Sequence, residues 1–338
     1  MTTRIGLNGF GRIGQQVLRI VGQSNQEKLE VVAVSSRRKP SLLAHLFKYD
    51  STYGRYSGTV ERTEDSIVVD GKPIKILPAL EPSQMPWGDC GVDLVVEATG
   101  SYRDAAKVAG HLEHGAKKVI ITAPGRGVDI SIVFGVNEGQ YNPATHKIIS
   151  AASCTTNCLC PVVKVLLDNF GIRRGFLTTV HGYTNDQVIL DKSHADLRRA
   201  RAAAINIIPT TTGAARAVAD VLPEVKGKID GIALRVPVVT GSIVDFVADV
   251  EKEKVSVEEV NQALRTAAEG YLKGILEFCD EELVSTDFIG STASAIVDGP
   301  STAVIDGNMV KVLAWYDNEW GYSCRVVDLA AYMAEKGL

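Results

Sequence analysis

Cysteine is scarce: Cys90, Cys154, Cys158, Cys160, Cys279 and Cys324 are the only six in 338 residues. That is too few, and too scattered, for a disulfide framework in a chain of this length. Three of them cluster at positions 154, 158 and 160, but no second Cys or His group stands at zinc-ligand spacing, so no metal site is expected. A small buried thiol is the ordinary role for most of the six. Long apolar runs are missing too; none reaches the ~18 residues that a membrane-spanning helix needs. The chain enters strand-like Arg4-Ile5-Gly6-Leu7-Asn8 without an apolar signal segment. Nor is there a basic excess, since 36 Lys+Arg stand against 40 Asp+Glu for a net charge of -4. Neither nucleic acid nor an anionic membrane is therefore an expected partner, and any bound anion must be held by local geometry. A cytoplasmic enzyme or binding protein is the expectation. What is present is ordinary globular composition, 45% hydrophobic and 22% charged, with length for about two domains. Glycine is the surplus: 31 residues, roughly 9% against a usual ~7%.

The first half alternates short apolar strands with helices. After Ile5, strands are expected at Leu29–Val34, Val92–Glu97, Lys118–Thr122, Ile132–Gly135 and Lys147–Ser150, with helices at Gln15–Val21 and Asp104–Glu113. Continuous apolar strands interleaved with helices argue for a parallel sheet covered on both faces. Thr59–Ile76 reads instead as antiparallel hairpin structure turning at Asp70-Gly71. The second half predicts a helix over Thr155–Asn169 and another at Gly213–Leu222. It also predicts long strands at Gly175–Tyr183, Gly231–Pro237 and Ser242–Val250, and helices at Ser256–Glu269 and Asp328–Lys336. The expected fold is α/β: a Rossmann-type doubly wound domain over 1–152, and an α+β domain with a long-stranded mixed sheet over 153–317. The C-terminal helical segment, 318–338, is expected to pack back on the first domain.

Gly9-Phe10-Gly11-Arg12-Ile13-Gly14 fits G-x-G-x-x-G, and it follows a strand and opens a helix, the context that gives the pattern meaning. The glycines permit a tight turn and close backbone approach, while the helix start offers free N–H groups to a pyrophosphate. The acid expected ~20 residues further on, which would bind ribose hydroxyls, is missing. In its place stands Ser35-Ser36-Arg37-Arg38-Lys39. Hydroxyl and guanidinium groups donate to a 2′-phosphate, so NADP is favoured, with NAD as the alternative if this segment is only a solvated loop.

Ser153-Cys154-Thr155-Thr156-Asn157-Cys158 follows a strand and opens an apolar helix. A cysteine in the first helical turn feels the helix dipole and unpaired N–H groups, which favour its thiolate. Cys158, one turn deeper, reads as structural. His181 ends the strand Leu177-Thr178-Thr179-Val180 and is expected to serve the Cys154 sulfur.

These segments carry a resemblance. Asn8-Gly9-Phe10-Gly11-Arg12-Ile13-Gly14, Ser153-Cys154-Thr155-Thr156-Asn157, His181-Gly182-Tyr183-Thr184, Thr211-Thr212-Gly213-Ala214-Ala215, Arg235-Val236-Pro237 and Asp317-Asn318-Glu319-Trp320-Gly321-Tyr322 occur in order. Together the chain resembles phosphorylating glyceraldehyde-3-phosphate dehydrogenases from its first strand to its last helix. The resemblance implies oxidation of D-glyceraldehyde 3-phosphate with inorganic phosphate and NAD(P)+ to 1,3-bisphosphoglycerate, in glycolysis, gluconeogenesis or carbon fixation, by a homotetramer. It implies Cys154 as nucleophile and His181 as base. It places Thr184 and Arg235 at the substrate phosphate, Ser153, Thr155, Thr212 and Gly213 at the attacking phosphate, and Arg198 at either. The cofactor is implied at Asn8, Gly9, Gly11, Arg12, Ile13, Gly14, Ser36, Arg37, Thr99, Gly100 and Thr122, with Asn318 on the nicotinamide amide and Tyr322 near its ring.

Four departures stand out. NAD-specific members usually carry an acid at the position of Ser36 and Leu-Pro in place of Lys192-Ser193, on a loop that reaches a neighbouring subunit's adenosine ribose. NADP-using photosynthetic members carry a serine matching Ser193, so two segments agree on NADP. Leu80, where many relatives carry an arginine near the adenosine, points the other way, and nothing physical accounts for Ala151 in place of a common asparagine. Two other readings remain: an erythrose-4-phosphate dehydrogenase, which usually differs at Thr184 and at Thr211–Ala215, and a non-catalytic NAD(P)-binding regulator.

Overall fold

A computed structural model describes residues 2–23 and 28–338. Chain contacts divide the protein into two compact units. The first holds the chain up to Ile132, Asn137–Ala152 and Ser323–Leu338; the second holds Val133–Val136 and Ser153–Tyr322.

The first unit is built on a nine-stranded sheet. Its order is Ile130–Ser131, Ile148–Ser150, Lys118–Ile121, Leu94–Glu97, Thr3–Asn8, Leu29–Ser35, Lys72–Leu77, Ser66–Val69 and Val60–Arg62. All neighbours as far as Lys72–Leu77 run parallel, and the last two strands add on antiparallel. Ile5, Leu7, Leu94, Val95 and Val96 are fully buried whichever face they point to, which is why these strands read as unbroken apolar runs. The expected hairpin turn is present: Asp70 and Gly71 both have positive φ, 49° and 77°, the requirement of a two-residue turn matched to strand twist. The expected helix over 104–113 is instead two short pieces, Ala105–Val108 and Gly110–Glu113. Asp104 caps the first by accepting from the Ala106 N–H. The expected strand at Ile132–Gly135 lies earlier, at Ile130–Ser131. The Val136 N–H folds back onto the Val133 carbonyl, and Gly135 takes φ 87°; a turn of this kind stops the ladder.

The second unit carries a mixed sheet in the order Ile208–Thr211, Ile229–Val236, Arg174–Gly182, Ser242–Asp249, Met309–Tyr316, Ala295–Asp298 and Leu276–Cys279, with Ala303–Ile305 beside Met309–Tyr316. Arg174–Gly182 runs parallel to Ile229–Val236 and antiparallel to Ser242–Asp249. Val244, Phe246, Ala248, Val310, Val312 and Ala314 alternate along their strands and are buried, and helix Cys154–Phe170 contributes its own apolar face, including Val162, Val163, Val165 and Leu166. Helix Val257–Glu269 opens with a full capping box between Ser256 and Glu259. The last helix begins at Trp320, eight residues before the expected start. Asp317 sets that start, accepting from the N–H groups of Glu319 and Trp320. Among the described residues no helix is long and apolar enough to cross a membrane.

Candidate active site

Two clusters carry chemistry, one in each unit. In the first, the parallel strands end at the glycine turn, and its three glycines are required for different reasons. Gly9 takes φ 98°, and a Cβ there would meet the Ala98 carbonyl carbon and the Thr99 nitrogen at 2.9 Å. A Cβ on Gly14 would strike the Gly9 oxygen at 2.3 Å. Gly11 has no atom within 4 Å of that position, so its missing side chain leaves open space at the start of helix Arg12–Gln23. A cradle with that opening at a helix start fits a dinucleotide pyrophosphate. Arg12 is turned aside, its Nη1 donating to the buried Asp50 carboxylate at 2.6 Å, which leaves the backbone of Arg12 and Ile13 as the groups at the turn.

Around this turn stand the other expected cofactor residues. Asn8 is buried and donates to Glu97. Thr99 donates to Glu97 through both its N–H and its hydroxyl, and Thr122 donates to the Glu97 carbonyl through both of its own. Gly100 has φ 72°. Ser36, half-buried at the end of strand Leu29–Ser35, accepts from the Arg38 N–H at 3.1 Å, while Arg37 and Arg38 are exposed.

In the second unit, Ser153 is the N-cap of helix Cys154–Phe170, its hydroxyl accepting from the Thr156 N–H. This puts Cys154 at the first helical position. Its Sγ lies 3.4 Å from His181 Nε2. Burial pushes the Cys154 thiol up from its ordinary range, against the pull of the Arg235 charge and of hydrogen bonds at the helix start. The thiolate expected from helix position alone therefore meets an opposing desolvation cost. His181 is 3% exposed, and burial, followed by the Arg235 charge, lowers it from 6.5 to about 3; it is a neutral imidazole. Its Nδ1 has two neighbours, the Gly182 carbonyl at 2.7 Å and Arg235 Nη1 at 2.6 Å. A guanidinium only donates and a carbonyl only accepts, so the two demand opposite tautomers. With Nδ1–H on Gly182, Nε2 is left as the acceptor facing sulfur.

The expected phosphate ligands gather on neighbouring elements. Arg235 is paired in register with His181. Thr184 donates from its N–H and hydroxyl to Gln187 Oε1. Thr212 caps the N–H of Ala214 at the start of helix Ala214–Val221, and Gly213 has open space where a side chain would be. Arg198 is exposed, its backbone held by its N–H to Asp196 and by its carbonyl, which accepts from the Arg201 N–H. The guanidinium that turns inward is that of Arg199. It donates to Thr210 and Asp186, and its charge adds to burial, the larger cause, in lowering Arg235. Ser193 is exposed on the loop between Gly182 and Ile208.

Sequence reasoning missed Tyr316. Its hydroxyl lies 2.9 Å from both Thr155 Oγ1 and Thr179 Oγ1, and its ring meets His181 edge-on at 5.9 Å. The period-two alternation of Met309–Tyr316 is the signal that predicts its strand. Asn318 is oriented by the Ser242 hydroxyl, which donates to its Oδ1 at 2.7 Å and accepts from the Gly182 N–H. Tyr322 is buried, and the Cys154 sulfur adds to burial in raising its phenol.

Comparison with known proteins follows the same division. The family model described as glyceraldehyde 3-phosphate dehydrogenase, NAD binding domain, matches residues 3–105, and that described as glyceraldehyde 3-phosphate dehydrogenase, C-terminal domain, matches residues 153–318. A glyceraldehyde-3-phosphate dehydrogenase of Geobacillus stearothermophilus is 58% identical over 338 residues, 100% of both chains. Glyceraldehyde-3-phosphate dehydrogenase 2 of Bacillus subtilis is 53% identical over 336 residues, 99% of this chain and 98% of its own. The similarly named protein 2 of a Nostoc species is 53% identical over 335 residues, 98% and 99% of the two chains. With both family models matched and identity above half across essentially the whole length, the chain belongs to the glyceraldehyde-3-phosphate dehydrogenase family.

Proposed function

We propose that this protein oxidises D-glyceraldehyde 3-phosphate, with inorganic phosphate, to 1,3-bisphosphoglycerate through a thioacyl intermediate on Cys154, with NADP as its favoured cofactor. The observation that carries this reading is the half-buried Cys154 sulfur 3.4 Å from the buried His181 imidazole, with Arg235 against the far side of the ring. Cys154 Sγ adds to the aldehyde carbon to give a hemithioacetal. His181 Nε2 takes the hydroxyl proton as that carbon is oxidised to the thioester. A bound nicotinamide supplies the hydride acceptor. Phosphate oxygen then attacks the thioester carbon, the C–S bond breaks, and the acyl phosphate leaves with the thiolate restored.

Arg235 gives the first step its electrostatic logic. Against burial, its charge favours the thiolate, and it adds to burial in keeping His181 neutral. A substrate phosphate held by Arg235, Arg199 and Thr184 cancels part of that charge, so His181 gains proton affinity when substrate is in place. Ser153, Thr155, Thr212 and Gly213 serve the attacking phosphate.

For the cofactor, Ser36 with Arg37 favours a 2′-phosphate, because neither repels it and both donate to it. Ser193 belongs to the same preference if the chains assemble as a homotetramer. Exposed Phe176 and Ile232, 71% and 51% accessible on adjacent strands, support such assembly, and six free thiols suit the cytoplasm.

The test is a single mixing experiment without phosphate. We expect one equivalent of NADPH per chain, a matching mass increase on the Cys154 peptide, and turnover only when phosphate is added. Steady turnover without phosphate overturns the thioacyl-phosphorolysis reading. The same preparation sediments as a tetramer; a monomer overturns the assembly.

A further inference from the structure

We propose that Glu97, held by His111 and Trp87, is a positioning residue for the dinucleotide: it fixes Asn8, Thr99 and Thr122, which come from three different strand ends of the cradle. The proposal rests on the dinucleotide-binding reading above.

Glu97 ends strand Leu94–Glu97, in register with Asn8 on one side and Ile121 on the other. It is 1% exposed. Its carboxylate accepts four hydrogen bonds. Oε1 takes the Thr99 N–H at 2.9 Å and the Thr99 hydroxyl at 2.5 Å; Oε2 takes Asn8 Nδ2 at 2.5 Å and faces His111 Nε2 at 3.3 Å. Its main-chain carbonyl takes the N–H and hydroxyl of Thr122 at 3.0 and 2.9 Å. One residue thus ties together the three strand ends.

The support behind it has a single polarity. Trp87 Nε1–H only donates, and it donates to His111 Nδ1 at 2.9 Å. Nδ1 must then carry the lone pair, and the imidazole proton sits on Nε2, facing the carboxylate. Indole, imidazole and carboxylate form a donor-to-acceptor chain in which protonating His111 would set two donors face to face. His111 and Trp87 are both 0% exposed.

A buried carboxylate is costly unless its partners are complete. An apolar side chain would fill the site without that cost but would leave Asn8 and Thr99 unoriented. Because Glu97 can only accept, it commits Asn8 Nδ2 and leaves Asn8 Oδ1 buried without a hydrogen-bond partner among the described residues. That orphaned acceptor is what a ligand donor would satisfy. Gly9 is packed against Ala98 and Thr99, and the Ala98 N–H donates to the Asn8 carbonyl. A shift of Thr99 therefore reaches the glycine turn directly.

The experiment uses Glu97→Gln, His111→Phe and His111→Gln in the full-length protein, with NADP as the probe. Titration of cofactor-free protein is expected to show Glu97→Gln and His111→Phe weakening NADP at least tenfold, with KM for NADP rising in step and kcat changing less than twofold. His111→Gln, which restores a donor toward Glu97, binds within about threefold of wild type. Trp87 emission in cofactor-free protein, assigned by difference from Trp87→Phe, shifts in His111→Phe. Folded variants that bind NADP as wild type does, or that lose kcat with KM unchanged, overturn the positioning role. Should Glu97→Gln fail to fold, the two His111 variants decide. A wild-type protein that binds no dinucleotide overturns the parent reading as well.

Discussion

His181 is pressed by its surroundings into one charge state. It is enclosed, it touches a guanidinium, and its one favourable contact for a proton, the Gly182 carbonyl, is outweighed. The folded imidazole is lowered to about 3, whereas the unfolded one titrates near its ordinary 6.5. Below 6.5 the unfolded chain takes up a proton that the folded chain refuses, so stability rises with pH across this window and falls as pH drops toward 3. From pH 6.5 to 5 this one group costs about 2 kcal/mol. Denaturant unfolding of His181→Asn should show a pH dependence flatter by about that amount; an unchanged slope contradicts the neutral, buried imidazole. The pairing of Cys154 with His181 was legible because each ends or begins an element whose type the pattern gives away. The burial of His181 and the half-burial of Cys154 were not, since nothing local in Ser153–Cys158 or Leu177–His181 encodes what covers them. Likewise Arg198 and Arg199 are adjacent arginines in a polar run, and only the contacts of Arg199 with Thr210 and Asp186 tell them apart.

Elements were readable where one rule governs them. Alternating strands and helices, the Asp70-Gly71 turn and the strand–turn–helix around the glycines all follow from local patterning. The strand Met309–Tyr316 follows the same period-two rule, but the place of Tyr316 beside His181 is set by contacts distant in sequence. The break between Val108 and Gly110 is a tertiary effect: Gly110 sits against the Ser83 backbone, where a Cβ would come within 2.5 Å. The glycine turn yields a prediction of its own. Gly14→Ala forces a Cβ into the Gly9 oxygen and should both destabilise the protein and abolish NADP binding. Gly11→Ala meets nothing in the folded chain, so its melting temperature should stay within a degree or two while NADP binding weakens at least tenfold. Thermal melts and NADP titrations separate these outcomes; equal destabilisation by both substitutions contradicts the reading of Gly11 as space kept for a ligand.

At the scale of the whole chain, a net charge of -4 and a requirement for several anions are reconciled by placement. Helix starts at Arg12, Cys154 and Ala214, with a few arginines, supply local positive potential that no global excess provides. Family membership settles the architecture, but the proposed cofactor preference rests on a handful of positions, Ser36, Arg37 and Ser193, whose effect would be a difference between two affinities. The most direct measurement is steady-state kinetics with NADP and NAD, each with and without phosphate, on wild type, Cys154→Ser and the Ser36→Asp, Ser193→Pro double variant. We predict phosphate-dependent reduction with glyceraldehyde 3-phosphate, kcat/KM higher for NADP than for NAD, no turnover in Cys154→Ser, and at least a tenfold fall in the NADP/NAD ratio in the double variant. Faster turnover with erythrose 4-phosphate, or an NADP/NAD ratio that the double variant leaves unchanged, would contradict the account.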